Sequence, residues 1–182
     1  MQHADDWQGA AQLLVDAARC LERAGAQCLL ICANTMHKVA PEIEAAVKLP
    51  LIHIADATAD AIKLKGLQTL VLLGTRFTME QDFYRQRLEQ RHHLRILIPD
   101  EGERRILHHI IFEELCKGEV RPESREIFYA TIARLGAAGA QGAILGCTKF
   151  TLFVAQEKPG IPLFDTTEIH ARAAVDWSLG GH

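Results

Sequence analysis

The sequence predicts an α/β protein built on a parallel sheet with helices on both faces. Three observations carry this. Short apolar runs alternate with longer amphipathic stretches: "CLLIC" (28–32), "PLIHIA" (50–55), "TLVLLG" (69–74), "LRILIP" (94–99), "GAILG" (142–146) and "IPLFDT" (161–166). Most of the runs are apolar throughout rather than at every second residue, the pattern of strands buried on both faces. No Ser/Gly-rich linker or low-complexity segment divides the chain, so successive strands are joined through helices.

Each element has a local reason. Residues 7–24 carry Leu13, Leu14, Ala17, Ala18 and Leu21 at helical spacing, with Asp5 or Asp6 as cap and Gly25 as stop. "CLLIC" then reads as a strand. Residues 36–47 read as a helix in which Pro41 fits only near the first turn. "PLIHIA" is a second strand, followed by a helix over about 56–65 that ends at Gly66. "QTLVLLGT" is the clearest strand, and 79–91 a charged amphipathic helix. "LRILIP" is a strand ended by Pro99. Helices follow over 101–117 and 123–138, separated by "KGEVRPES". "GAILGC" is a strand, 150–157 a short helix, "IPLFDT" a strand and 166–179 the last helix. The reading gives about six strands.

Composition narrows the function. The chain has 182 residues, 48% of them hydrophobic and 24% charged, with a formal net charge of -3. That is an ordinary globular balance, long enough for a proper core. No basic stripe stands out, and two Trp and two Tyr give little stacking surface, which argues against nucleic acid as a partner. The apolar runs are too short to cross a bilayer. The start, "MQHADDWQGAAQ", lacks a basic-then-apolar signal pattern, so the cytoplasm is the expected location. The five cysteines are odd in number and irregularly spaced, without C-x-x-C, which speaks against a disulfide framework.

The chemistry gathers on the turns that follow strands. In open α/β sheets ligands bind at the carboxyl ends of the strands. "CANT" (32–35), "GTRFT" (74–78) and "GCTK" (146–149) lie on such edges, each before a helix whose free N–H groups favour an anion. Two of these turns superpose in sequence: Ala33 falls on Cys147, Asn34 on Thr148 and Thr35 on Lys149. Cys147, before a helix start, has the setting of a thiol of lowered pKa, though a buried core cysteine reads equally well. Asn34, Thr35, Thr148, Thr75 and Thr78 are ligand-binding candidates; residues of these types also cap helices.

"ANTMHKVAPEIE", "LPLIHIADAT", "LLGTRFTMEQDFYRQRL", "GAILGCTKF" and "PLFDTTEIHARAAV", in this order and spacing, resemble the aspartate/glutamate racemase family over nearly the whole chain. The bacterial broad-specificity and L-aspartate/glutamate-specific branch is the nearest match. The resemblance implies two pseudo-symmetric, Rossmann-like parallel-sheet domains with the active site between them. Residues 1–65 and 163–182 would form the first domain and 66–162 the second. It implies a homodimer, no PLP and no metal. Two groups on opposite faces of an acidic amino acid would act in turn, one removing the α-proton and the other returning a proton.

Carried onto this chain, one of those groups is Cys147. The other position, a Cys or Thr in the family, is Ala33, whose methyl has no exchangeable proton. Cys32 is adjacent, but alternation along a strand points it away. Asn34, Thr35 and Thr148 would hold the α-carboxylate. Lys117 aligns with a lysine that binds the side-chain carboxylate in aspartate-specific relatives; it also suits a helix C-terminus. Lys149 stands where the family often has Glu, and would either favour thiolate or lie in solvent. His37 and His170 are expected to orient or pack. His92, His93, His108 and His109 are expected on solvated faces. The family's first strand and Gly-Gly-Met turn have no counterpart here, so the first domain is expected to lack its N-terminal strand. The expectation is a racemase of impaired turnover. A superfamily decarboxylase or isomerase that needs one Cys, and an inactive acidic-amino-acid-binding fragment, are the alternatives.

Overall fold

A computed structural model describes residues 6–154 and 160–180. Its centre is a four-stranded, all-parallel sheet in the order β2-β1-β3-β4, with β1 Thr69–Gly74, β2 Arg95–Leu97, β3 Gly142–Gly146 and β4 Leu163–Asp165. The α/β class is thus the one the sequence predicts. The faces of the two central strands alternate strictly. Val71, Leu73, Ala143 and Leu145 point to one side, into a core with Leu107, Ile110, Phe128 and Ile132. Leu70, Leu72 and Ile144 point to the other, against Ile54, Ala59, Ile62, Tyr84 and Leu88. Burial on both faces is why these strands read as unbroken apolar runs. Each such side chain contributes roughly 1.5–3 kcal/mol by leaving water.

The covering helices follow the expected boundaries closely. α1 (Trp7–Arg23) is capped by Asp6, whose side chain accepts from Gly9 N–H, and the chain turns at Gly25 with φ of 86°. α2 (Ala40–Ala46) holds Pro41 in its first turn, where no N–H is missed. α3 (Ile54–Leu64) ends before Gly66, at φ of 67°. Helix 79–91 is broken into α4 (Arg76–Glu80), α5 (Asp82–Gln86) and a π turn over Arg87–Arg91. Helix 101–117 begins as α6 (Glu101–His109), with a capping box from Asp100 and Glu103, then widens into a π turn over Ile110–Glu114. α7 is Pro122–Ala137 and α8 is Thr166–Ser178. The expected helix at 150–157 is a 3-10 turn over Thr148–Phe153; residues 155–157, like Asp5, lie outside those described.

Two expected strands are not strands. "CLLIC" and "PLIHIA" meet at a single parallel bridge, Leu29 to Leu51. Leu29 N–H donates to Pro50 O at 2.9 Å and Ile52 N–H to Leu29 O at 2.9 Å. The Ile31 carbonyl is taken by Ala33 N–H two residues on, at 2.8 Å, which bends the chain before a second rung forms. Apolarity foretold burial here, but a ladder also needs consecutive partners. This segment, α1 and α2 enclose a separate small core of Ala11, Val15, Leu29, Ile31, Ile43 and Val47. β4, expected with the first domain, pairs with β3 and completes the sheet of the 66–162 unit, while α8 packs on α3.

Candidate active site

β1 and β3 run in register to Gly74 and Gly146 and then release the two turns that begin at Thr75 and Cys147. The glycines are required by the approach. A Cβ on Gly146 would lie 2.8 Å from the Leu73 carbonyl oxygen, and one on Gly74 2.9 Å from that of Gly146. Opposite them stands the turn at Ala33–Thr35. The three turns enclose a cavity of about 160 Å³, lined by Ala33, Asn34, Thr35, Thr75, Gly146, Cys147, Thr148 and Lys149, with Ile111, Phe112 and Cys116 closing one side. Its volume is below the ~300 Å³ at which drug-sized pockets begin, so it suits a small ligand.

The Ala33–Thr35 turn is held by side chains. Thr35 shares hydrogen bonds with the hydroxyls of Thr75 at 3.2 Å and Thr78 at 3.0 Å, and those two are 3.3 Å apart. Asn34 Nδ2 donates to Thr166 Oγ1 at 3.0 Å, and Thr166 donates in turn to Leu145 O at 2.7 Å. Asn34 Nδ2 thereby uses one of its two protons. Its Oδ1, buried and without a protein partner, is left as an acceptor. A buried acceptor without a donor costs about 1–3 kcal/mol, which a ligand's ammonium would relieve.

Behind this turn lies a histidine cluster. Ile54 N–H donates to His37 Nε2 at 3.2 Å, so the ring carries its proton on Nδ1 and donates to Ala33 O at 2.9 Å. The His53 and His170 rings lie 4.4 and 5.8 Å from it. His170 Nε2 donates to Ile52 O at 2.6 Å, and His53 Nδ1 accepts from Ala55 N–H. Burial pushes His37 down to about 4 and His53 down to about 2, and lowers His170 as well. All three are neutral near pH 7.

The Cys147 turn differs. Cys147 is 9% exposed and at the start of the 3-10 turn. Burial pushes its pKa up to about 11, although the Lys149 and Phe150 N–H groups and the Lys149 charge pull the other way. The lowered value expected from the helix start is therefore overturned, because desolvation outweighs the few dipoles of a short turn. At neutral pH the resting group is the thiol.

The sequence candidates divide accordingly. Cys147, Ala33, Asn34, Thr35, Thr75 and Thr148 meet at the cavity. Thr78 supports it from behind through Thr35. Lys117 is not among the lining residues: the side chain is half-exposed, with Nζ 2.7 Å from Glu113, although the adjacent Cys116 lines the cavity. Cys32 lines an apolar groove with Leu14, Leu21 and Leu30 instead. His93 and His109 are exposed as expected, but His92 bonds Asp56 at 2.8 Å and His108 accepts from Arg76 N–H at 3.2 Å. Ile111, Phe112 and Cys116 had no sequence signal; the π turn that presents the first two cannot be read from periodicity. Among the described residues no group of three or more His, Cys, Asp or Glu could hold a metal ion.

Residues 1–174 match the Asp/Glu/Hydantoin racemase family. The chain belongs to this family. A protein from Yersinia pestis described as a candidate Asp/Glu racemase is 52% identical, with a TM-score of 0.92 over 98% of this chain and 77% of that one. An aspartate racemase homologue from Pyrococcus horikoshii is 36% identical, with a TM-score of 0.86 over 98% and 78%. An aspartate racemase from Picrophilus torridus, 22% identical, shares the fold with a TM-score of 0.71 over 93% and 69%. Among the described residues no helix is long and apolar enough to cross a membrane.

Proposed function

We propose that this racemase-family chain binds an acidic amino acid between the two turns and that Cys147 exchanges the α-proton from one face. The observation that carries the proposal is that Cys147 and Ala33 line the same cavity from different turns. A two-base reaction needs a proton-carrying group on each face of the α-carbon, and each such group supplies about 10²–10⁴-fold in rate. The Ala33 methyl supplies none, so inversion is strongly impaired. The protonated Cys147 is suited to give a proton, and thiolate is needed to remove one. Asn34 Oδ1 accepts from the substrate ammonium. Hydroxyls of Thr35, Thr75 and Thr148 donate to the α-carboxylate. The proposed chemistry uses protein groups alone. The reading extends to a cytoplasmic homodimer.

The test follows the α-proton in D₂O by proton NMR, with L- and D-aspartate and L- and D-glutamate supplied separately and chirality measured alongside. Loss of the α-proton of one enantiomer without inversion is expected, and Ala33→Thr is expected to add inversion. If no enantiomer exchanges and a folded Ala33→Thr chain is also inert, the racemase reading fails. Release of carbon dioxide from an arylmalonate would favour a one-cysteine decarboxylase instead.

A further inference from the structure

Cys116 is a second thiol on the wall of the cavity that holds Cys147, and the proposed reaction does not use it. We infer that the two thiols are a peroxide-sensitive pair: hydrogen peroxide oxidises Cys116, and Cys147 then closes a disulfide onto it. Their placement carries this. Cys116 stands on a 3-10 turn, Leu115–Lys117, that packs on the Thr148–Phe153 turn following Cys147. That packing brings Cα atoms of the two turns within 8 Å of one another, near the limit of about 7 Å at which a disulfide can close. The two thiols also feel each other's charge, which adds to the upward push on Cys147. All five cysteines are free, and among the described residues no other cysteine lines this cavity. Cys20 lies on α1 and Cys32 in the apolar groove.

Exposure sets the order of events. The thiolate is the form that peroxide oxidises, and solvent must reach it. Cys116 is exposed, whereas Cys147 is buried and its pKa is pushed up to about 11. Peroxide therefore reacts with Cys116 first. The Cys116 thiolate attacks one peroxide oxygen, the O–O bond breaks, and a sulfenic acid and one water form. The Cys147 sulfur then attacks the Cys116 sulfur. The S–S bond forms, the S–O bond breaks, and the hydroxide leaves with the proton of Cys147 as a second water. Two thiols lose two electrons in all, and one peroxide takes them. The product has no proton on Cys147, and a dithiol reductant restores it.

The experiment treats the folded full chain with hydrogen peroxide, blocks the remaining thiols and digests the chain without reduction. Trypsin cuts after Arg105, Lys117, Arg134 and Lys149, so the two cysteines fall on separate peptides, 106–117 and 135–149. Mass spectrometry should find these two peptides joined, and dithiothreitol should separate them. Cys147→Ser should leave Cys116 as a sulfenic acid that dimedone traps. In Cys116→Ser, Cys147 should lose its thiol roughly tenfold more slowly than in the unaltered chain. Peroxide treatment in urea should scatter the links among the five cysteines, since the fold is what pairs these two. The inference is overturned if peptides 106–117 and 135–149 are not joined, if other pairs are joined as often, or if the preference survives in urea. It is also overturned if Cys147 is oxidised as fast in Cys116→Ser. The link is read by mass alone, so it stands or falls apart from the proposed function. If that function holds, linkage should also abolish α-proton exchange and dithiothreitol should return it.

Discussion

The two turns that face each other across the cavity are alike in sequence and unlike in what holds them. The Cys147 turn leaves a five-residue strand bonded on both sides, so its place is set by a backbone ladder. The Ala33 turn follows a segment with one bridge and is set by side chains: His37 on Ala33 O, Thr166 on Asn34, and the hydroxyls of Thr75 and Thr78 on Thr35. The ladder-held turn carries the Cys147 thiol. The turn held by side chains carries a methyl where the chemistry would need a proton. A backbone ladder tolerates changes of side chain, whereas a position fixed by buried polar groups depends on each of them.

The largest effect separates the turns by reactivity. Cys147→Ser should lower α-proton exchange by about 10²–10⁴-fold, because a hydroxyl is a far weaker acid than a thiol. Exchange in the unaltered chain should rise about tenfold per pH unit across the neutral range and level off near the thiol's own pKa of about 11, as thiolate accumulates. A pH-independent rate, or a Cys147→Ser chain that exchanges normally, would shift the chemistry away from this turn.

The next effect separates them by pH stability. His37 and His53 stay neutral in the folded chain down to about 4 and about 2, while the unfolded chain protonates them below about 6.5. Their contribution is therefore full above 6.5 and is lost as pH falls, by about 1.4 kcal/mol per pH unit for each ring. Cys147 has the opposite sign. Its raised pKa gives a contribution that is full below the ordinary thiol range and is lost as pH rises towards 11. Urea unfolding across pH should show the acid loss. Histidine NMR should show rings that do not titrate near 6.5. Rings titrating normally would mean that the cluster is open to water and cannot fix the Ala33 turn.

Gly146→Ala comes third. The new Cβ would sit 2.8 Å from Leu73 O and 3.0 Å from Leu72 Cδ1, so the strand ends must part. A loss of about 1–3 kcal/mol is expected. Chemical denaturation reads it, and an unchanged midpoint would show that the strand ends are looser than the glycines suggest.

The same contrast explains how much could be read from sequence. β1 and β3 were legible because two-sided burial writes a continuous apolar run, and the turns after them because Gly-Thr and Gly-Cys mark the exits. "CLLIC" wrote the same signal from a different cause: it is buried against α1 and α2 but paired at Leu29 alone. A one-dimensional pattern records burial and says little about partners. Asn34 and Thr35 were singled out by the strand-exit turn they stand on and by their resemblance to a family motif. Thr166, which fixes the Asn34 amide from 132 positions away, left no local mark. Lys117 matched a motif, while in the structure Lys149 lines the cavity and Lys117 pairs with Glu113. The thiol's pKa was misjudged because a helix start is visible in sequence and the depth of burial is not.

The smallest effect tests whether hydroxyls alone can hold a turn. Thr35→Val keeps the branched shape and removes one oxygen from a buried trio. Thr75 and Thr78 remain 3.3 Å apart and can still satisfy each other, and Thr75 still accepts from Thr78 N–H. The expected cost is therefore the net worth of one hydrogen bond, about 1 kcal/mol, rather than that of a stranded buried group. Thr151→Val offers the matching change on the other turn, where a hydroxyl donates to Thr148 O at 2.8 Å from a part-buried site beside the backbone ladder. Its loss should be the smaller of the two, since water can reach the freed carbonyl. Denaturation midpoints measured side by side give the ranking. A Thr151→Val chain less stable than Thr35→Val would reverse it, and would mean that the Cys147 turn also depends on its side chains despite the strand that leads into it.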